Sequence, residues 1–180
     1  MARFFIPQES AERETRVAAT PETVKKFISL GCSVAIEKGA GLSAGFLDQE
    51  YSLAGAKLIE NGDYEAWNGC DVLLCVQQPN QQLLGKLPPG CLLVGLLAPY
   101  SNETLANSLK SRSLSALSLE LLPRISRAQS SDALSSQANI GGYKAIVLAA
   151  NALDRYFPML MTAAGTVQPA KIVVLGAGVA

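Results

Sequence analysis

Apolar residues along this chain come in short runs separated by polar turns, and helical periodicity fills the spaces between the runs. Compact apolar stretches at 4–6, 33–37, 57–59, 72–76, 92–97 and 114–122 predict strands, and 171–175 predicts a last one. After the first strand comes a charged loop, 8–16. Pro21 then opens a helix with Thr20 as N-cap and proline at the first helical position. Val24, Phe27 and Ile28 recur at i, i+3 and i+4, and Gly31 ends the pattern. Residues 48–54 predict a short helix stopped by Gly55, and 102–112 and 138–157 predict two more, the second a long one. Strands alternating with helices predict an α/β fold, a Rossmann/flavodoxin-like parallel sheet with helices on both faces. Gly165 and Pro169 interrupt the pattern, so a break between domains is expected at 162–169. The organisation that follows is a Rossmann-like domain over 1–137, a linking helix and connection over 138–165, and the start of a second domain over 166–180.

Composition narrows the chemistry. Hydrophobic residues make up 49% of 180, enough for a packed core. Lys+Arg and Asp+Glu balance at 15 each, so nothing favours nucleic acid or an anionic membrane as partner. Histidine is absent, which excludes a His general base, a Ser–His or Cys–His pair and most zinc sites. Cys32, Cys70, Cys75 and Cys91 form no CxxC, and three of them flank or lie in apolar runs, as small hydrophobes do. Free cysteines in a chain with so large a core point to a reducing cytosol. The opening MARFFIPQES is too short for a signal peptide, and no apolar run reaches the ~20 residues of a membrane span, so a soluble chain without direct membrane insertion is expected.

One polar stretch stands out. The apolar run at 114–122 ends at Pro123, and Arg124, Arg127, Gln129, Asp132 and several serines follow before helical periodicity resumes. In an open α/β sheet, ligands bind beyond the carboxyl ends of the strands. Arg124 and Arg127 offer fixed guanidinium donors for phosphate or carboxamide oxygens, Gln129 a donor–acceptor amide, and Asp132 an acceptor. The same residues also suit a solvated connection in which Asp132 or Ser131 caps a short helix.

The second informative stretch is Lys171-Ile-Val-Val-Leu175 running into Gly176-Ala-Gly178-Val-Ala180. It reads as the opening of G-x-G-x-x-G, cut before the third glycine. The first glycine permits the tight turn and the second lets the backbone approach a pyrophosphate. A chain stopping in mid-motif is expected to be a piece of a longer polypeptide.

With these motifs in hand, the chain resembles the N-terminal part of the alpha subunit of proton-translocating NAD(P) transhydrogenases, in the superfamily shared with alanine dehydrogenase. The resemblance covers essentially the whole chain. It rests on IPQESAERETRVAATPETV, PRISRAQSSDALSSQANIGGYKA, TAAGTVQPAK and VVLGAGVA. It implies NAD(H) bound between two Rossmann-like domains, with hydride passed directly to NADP(H) on a partner component. A membrane-spanning component couples that transfer to proton movement. It also implies a homodimer of the full subunit, at the cytoplasmic face of the membrane through those partners. Residue by residue, the family's Arg-Gln-Asp loop matches Arg124, Gln129 and Asp132, with Ser135 and Tyr143 at the expected spacing. The arginine, aspartate and serine would hold the nicotinamide end, and the glutamine would face NADP(H). Ile125, Ser126 and Arg127 would line the same strand end, and Gly176, Gly178 and Val179 match the pyrophosphate turn. Arg124, Gln129 and Asp132 are therefore the expected catalytic residues. Hydride transfer needs two rings held about 3–3.5 Å apart and no general base, which a chain without histidine can provide.

Two other readings remain open. An alanine dehydrogenase resemblance would imply a pyruvate-binding arginine, matched by Arg16 in RVAATP, with a lysine in VKEP and a catalytic histidine. The lysine position holds Gln77 in VQQP, and the histidine falls at or near Leu97 and Ala98. Without them amino-acid oxidation lacks its acid–base groups, and Arg16 is expected to anchor its own loop through local hydrogen bonds. The other alternative is a truncated, non-catalytic assembly module.

Overall fold

In the computed structural model, which describes residues 1–63 and 69–180, the chain divides into two compact units, Met1–Leu122 and Pro123–Ala180. The first unit contains strands β1 (Arg3–Ile6), β2 (Ser33–Glu37), β3 (Lys57–Ile59), β4 (Val72–Gln77), β5 (Leu92–Leu96) and β6 (Ser115–Ser118). Every pairing among them is parallel and the spatial order is β3-β2-β1-β4-β5-β6. This is the doubly wound order of dinucleotide-binding folds, with the reversal of winding between β1 and β4. The expected α/β architecture is therefore present.

The period of two explains how the strands form a sheet covered on both sides. Phe5, Leu73, Cys75 and Leu93 point to one face and pack with Leu83 and Leu84 of α3 (Gln81–Leu84) and Leu105 of α4 (Glu103–Ser111). Ile6, Val34 and Ile36 point to the other and pack with Val24 of α1 (Pro21–Ser29) and Tyr51 of α2 (Asp48–Leu53). The helix starts follow local chemistry. Thr20 Oγ1 accepts from Thr23 N at 3.3 Å, Asn80 Oδ1 from Leu83 N at 2.8 Å and Asn102 Oδ1 from Leu105 N at 3.0 Å. α3 was not expected, because a single turn carries no periodicity.

Tyr51 ties the α2 side of the core together. Fully buried, it donates from its hydroxyl to the Ala19 carbonyl at 2.9 Å and meets Phe46 edge-on. Burial pushes its phenol up to about 12. A Cβ at Gly41 would come 2.6 Å from its ring, so the turn before α2 requires glycine there. Tyr51→Phe keeps the ring but leaves the Ala19 carbonyl unpaired. It should cost about 1 kcal/mol, read as a lower urea midpoint at unchanged slope.

Three expectations about element limits are corrected. The strand expected over 114–122 stops at Ser118, and Leu119–Leu121 is a 3₁₀ turn. The Glu120 carboxylate there folds back to accept from the Ala98 N–H and, at 2.7 Å, from Ser118 Oγ. The long helix is α5 (Ala133–Ala152), starting and ending five residues earlier than expected. The strand expected at 171–175 does not form: no strand among the described residues pairs with it, and Val173, Val174 and Leu175 stand 83%, 72% and 96% exposed. An extended run without a hydrogen-bonded neighbour is not a strand. Ahead of it lies an antiparallel hairpin, β7 (Leu160–Thr162) and β8 (Gly165–Val167), whose short turn uses Gly165 at φ +136°. Among the described residues no helix is long and apolar enough to cross a membrane.

Candidate functional site

The polar loop after Pro123 folds into six 3₁₀ residues, Ser126–Ser131, and then into α5. Asp132 makes the junction. Its Oδ1 accepts from the Ser135 backbone N–H at 2.9 Å and its Oδ2 from the Ser135 hydroxyl at 2.6 Å. The capping reading of Asp132 is thus correct, although the helix it caps is long. Hydrogen bonds from Ser135 hold the Asp132 carboxyl below its ordinary value. It is therefore an acceptor near neutral pH, and each oxygen keeps a second lone pair for a ligand.

The same turn closes a cavity of about 280 Å³ lined by Arg124, Ile125, Ser126, Ala128, Gln129 and Asp132. Five of the sequence-derived site residues meet there. Ser135 joins them through Asp132. Arg127 is on the same 3₁₀ segment but not in the lining, and Tyr143 is 73% exposed on α5. Gly176 takes φ +100°, which a side chain disfavours. The end of the Gly176–Ala180 stretch, which holds Gly178 and Val179, runs against α5, since a Cβ on Gly142 would lie 1.8 Å from the Ala180 carbonyl oxygen. One lining residue was missed by sequence reasoning: Ala128 gave no signal, being a small residue without chemistry.

A second cavity, of about 270 Å³, lies within the first unit. Its lining includes Gln8, Glu9, Glu37, Asn61, Gln77 and Asn80, beyond the carboxyl ends of β1, β2, β3 and β4. Its carboxylates are already engaged. Glu9 accepts from Val76 N at 2.6 Å and Gln77 N at 3.1 Å, and burial raises its pKa. Glu37 accepts from Gln8 N at 2.8 Å and Gly62 N at 3.0 Å. Behind them Glu14 accepts from Arg16 Nε at 2.7 Å, Arg16 Nη2 at 2.6 Å and Gln77 Nε2 at 2.6 Å. Arg16 is thus held by its own loop, as its sequence context implies. Internal hydrogen bonds bridge the crevice at the winding reversal, and the other cavity has Arg124, Gln129 and Asp132 in its lining.

Comparison with known proteins divides the chain further along than the two compact units do, between residues 141 and 145. The family description "Alanine dehydrogenase/PNT, N-terminal domain" matches residues 5–141, and "Alanine dehydrogenase/PNT, C-terminal domain" matches 145–180. The chain belongs to the alanine dehydrogenase/PNT family. Among relatives, NAD(P) transhydrogenase subunit alpha of Haemophilus influenzae is 42% identical over 97% of this chain and 34% of its own length. A subunit alpha polypeptide of the Rhodospirillum rubrum NAD(P) transhydrogenase is 42% identical over 99% of this chain and 47% of its own. The crystal structure of transhydrogenase from Sinorhizobium meliloti superposes with TM-score 0.91 at 46% identity, covering 98% of this chain and 50% of that one. An L-alanine dehydrogenase structure superposes with TM-score 0.61 at 29% identity over 66% of this chain and 32% of that one. This member of the family spans half or less of the length of the proteins it matches.

Proposed function

We propose that this chain is the N-terminal part of the NAD(H)-binding component of an NAD(P) transhydrogenase. In this reading it positions NAD(H) for direct hydride exchange with NADP(H) on a partner component, in a complex whose membrane-spanning part couples exchange to proton translocation. The observation that carries this reading is the convergence of Arg124, Gln129 and Asp132 on one cavity, together with the state of the alternative site. There Arg16 is consumed by Glu14, Gln77 stands in place of a lysine, and Leu97 and Ala98 stand where a histidine is needed.

The donor set fits a nicotinamide carboxamide, which presents one acceptor oxygen and two N–H donors. When bound, the nicotinamide ring supplies the carbon that gives or receives hydride. The chain's own residues supply position. Arg124 donates to an oxygen, and Asp132, fixed by Ser135, accepts from N–H. Gln129, exposed on the 3₁₀ segment, is available to a partner-bound ring. Gly176, Gly178 and Val179 would supply the pyrophosphate turn. No proton need be moved by a side chain, so rate depends on how firmly the rings are held at reacting distance.

The test uses the full polypeptide that carries this chain, mixed with the NADP(H)-binding component. NADH should bind, and hydride should pass to an NADP⁺ analogue only when both components are present. NADH production that depends on L-alanine would instead place the chain on the dehydrogenase branch. NADH binding without transfer to any partner would favour an assembly module.

A further inference from the structure

We propose that Cys70 and Cys91 are an oxidative modification site, a thiol pair that a peroxide converts into a disulfide tying the amino ends of β4 and β5. Their sulfurs lie 3.5 Å apart, and both cysteines are free. Cys70 lies two residues before β4 and Cys91 immediately before β5, strands paired in parallel with Val72 opposite Leu92. The backbone between them is pinned, since Leu92 N donates to the Asp71 carbonyl at 2.9 Å. A disulfide needs an S–S separation of about 2.05 Å, so the sulfurs have to close by roughly 1.5 Å.

The pair lies just under the surface. Both thiols are buried, yet Pro89 and Gly90 before Cys91 are exposed, and the Arg3–Asp71 ion pair beside Cys70 is 55% and 44% exposed. The remaining cysteines are differently placed: Cys75 directs its thiol at the Val94 carbonyl, 3.5 Å away, and Cys32 precedes β2.

A hydrogen bond joins the two thiols, and either sulfur can be its donor. With Cys70 donating, Cys91 is held below the ordinary thiol value and Cys70 is pushed above it. In that arrangement Cys91 ionises first and attacks one peroxide oxygen. The O–O bond breaks, the leaving hydroxide takes up a proton to become water, and Cys91 becomes a sulfenic acid. The Cys70 sulfur then attacks the Cys91 sulfur. The S–O bond breaks and hydroxide leaves with the Cys70 proton as a second water, forming the S–S bond. Two thiols are oxidised by two electrons and one peroxide is reduced to two waters. A dithiol reductant reverses the bond by exchange.

The test is peroxide titration of the full polypeptide that carries this chain, followed by alkylation, non-reducing digestion and mass spectrometry. The expected product is a Cys70–Cys91 cross-linked peptide, with two of this chain's four thiols lost and all four recovered with dithiothreitol. The closed loop holds β4 and α3, so the oxidised chain should melt about 5 °C higher. Cys91→Ser should abolish both the cross-link and the shift, and Cys32→Ser should keep both. The proposal is overturned by a cross-link through Cys32 or Cys75, by sulfinic acid at Cys91 with no disulfide, or by four thiols surviving excess peroxide.

Discussion

Gln129→Ala should slow hydride transfer about 100-fold while leaving NADH affinity almost unchanged, because a displacement of about 1 Å in a reacting pair costs that much. The structure separates Gln129 from its neighbours on physical grounds. Its backbone carbonyl accepts from Asp132 N at 3.3 Å, so its main chain supports the turn, while its side chain is exposed at the cavity wall. Truncating that amide removes nothing that holds the loop together. In the proposed assembly it removes a group that meets the partner's nucleotide. Arg124→Ala is different in kind. A charge-assisted hydrogen bond is worth about 1.5–3 kcal/mol, so this variant should weaken NADH binding roughly tenfold or more and slow transfer as well. Dissociation constants for NADH, set beside stopped-flow transfer rates for the two variants, give the comparison. Equal losses of affinity and rate in Gln129→Ala would show that the glutamine holds NAD(H) itself.

Much of the first unit was legible because its signals are local. Thr20 before Pro21, Gly31 and Gly55 after helices, and the apolar runs of β1 to β5 each report a constraint that a few neighbouring residues satisfy by themselves. What escaped depends on residues distant in sequence. Strand β6 is shorter than its apolar run because Glu120 turns back to the backbone of Ala98, a partner no local pattern discloses. The start of α5 is a local exception: Asp132 could be read as a cap, but the serines of the first turn look like loop residues, so the helix was placed five residues too late. The run Lys171–Leu175 has strand composition, but a strand is a property of a pair. At the candidate site, side chains with evident chemistry could be read directly: Arg124, Gln129 and Asp132 do line one cavity. The carboxylates of Glu9 and Glu14 could not. In sequence they are two charges in a polar loop, and their partners Val76 and Gln77 lie 67 and 63 residues away. Only the fold shows that they bridge the crevice where the winding reverses.

That bridge should make Glu14→Ala a destabilising substitution, by about 2–3 kcal/mol. The Glu14 side chain is 5% exposed, and its carboxyl is held at about 2, chiefly by the Arg16 guanidinium. Arg16 is 38% exposed and recovers part of its hydration when the partner is lost, which keeps the expected figure below the full value of the shift. Because the folded value lies below the unfolded one, near 4.5, this contribution is complete above about pH 4.5 and is lost as pH falls toward about 2. Glu9 acts in the opposite sense. Burial raises its carboxyl, so the folded chain takes up that proton more readily, and acid then favours the fold at this one group. Urea midpoints measured from pH 2 to 7 should therefore fall less steeply toward acid in Glu14→Ala than in the parent chain, the two curves converging at the acid end. Parallel curves would mean that Glu14 is not the group whose protonation weakens the fold. Release of Arg16 and Gln77 in this variant should not produce alanine oxidation. The positions that would move a proton remain Gln77, Leu97 and Ala98.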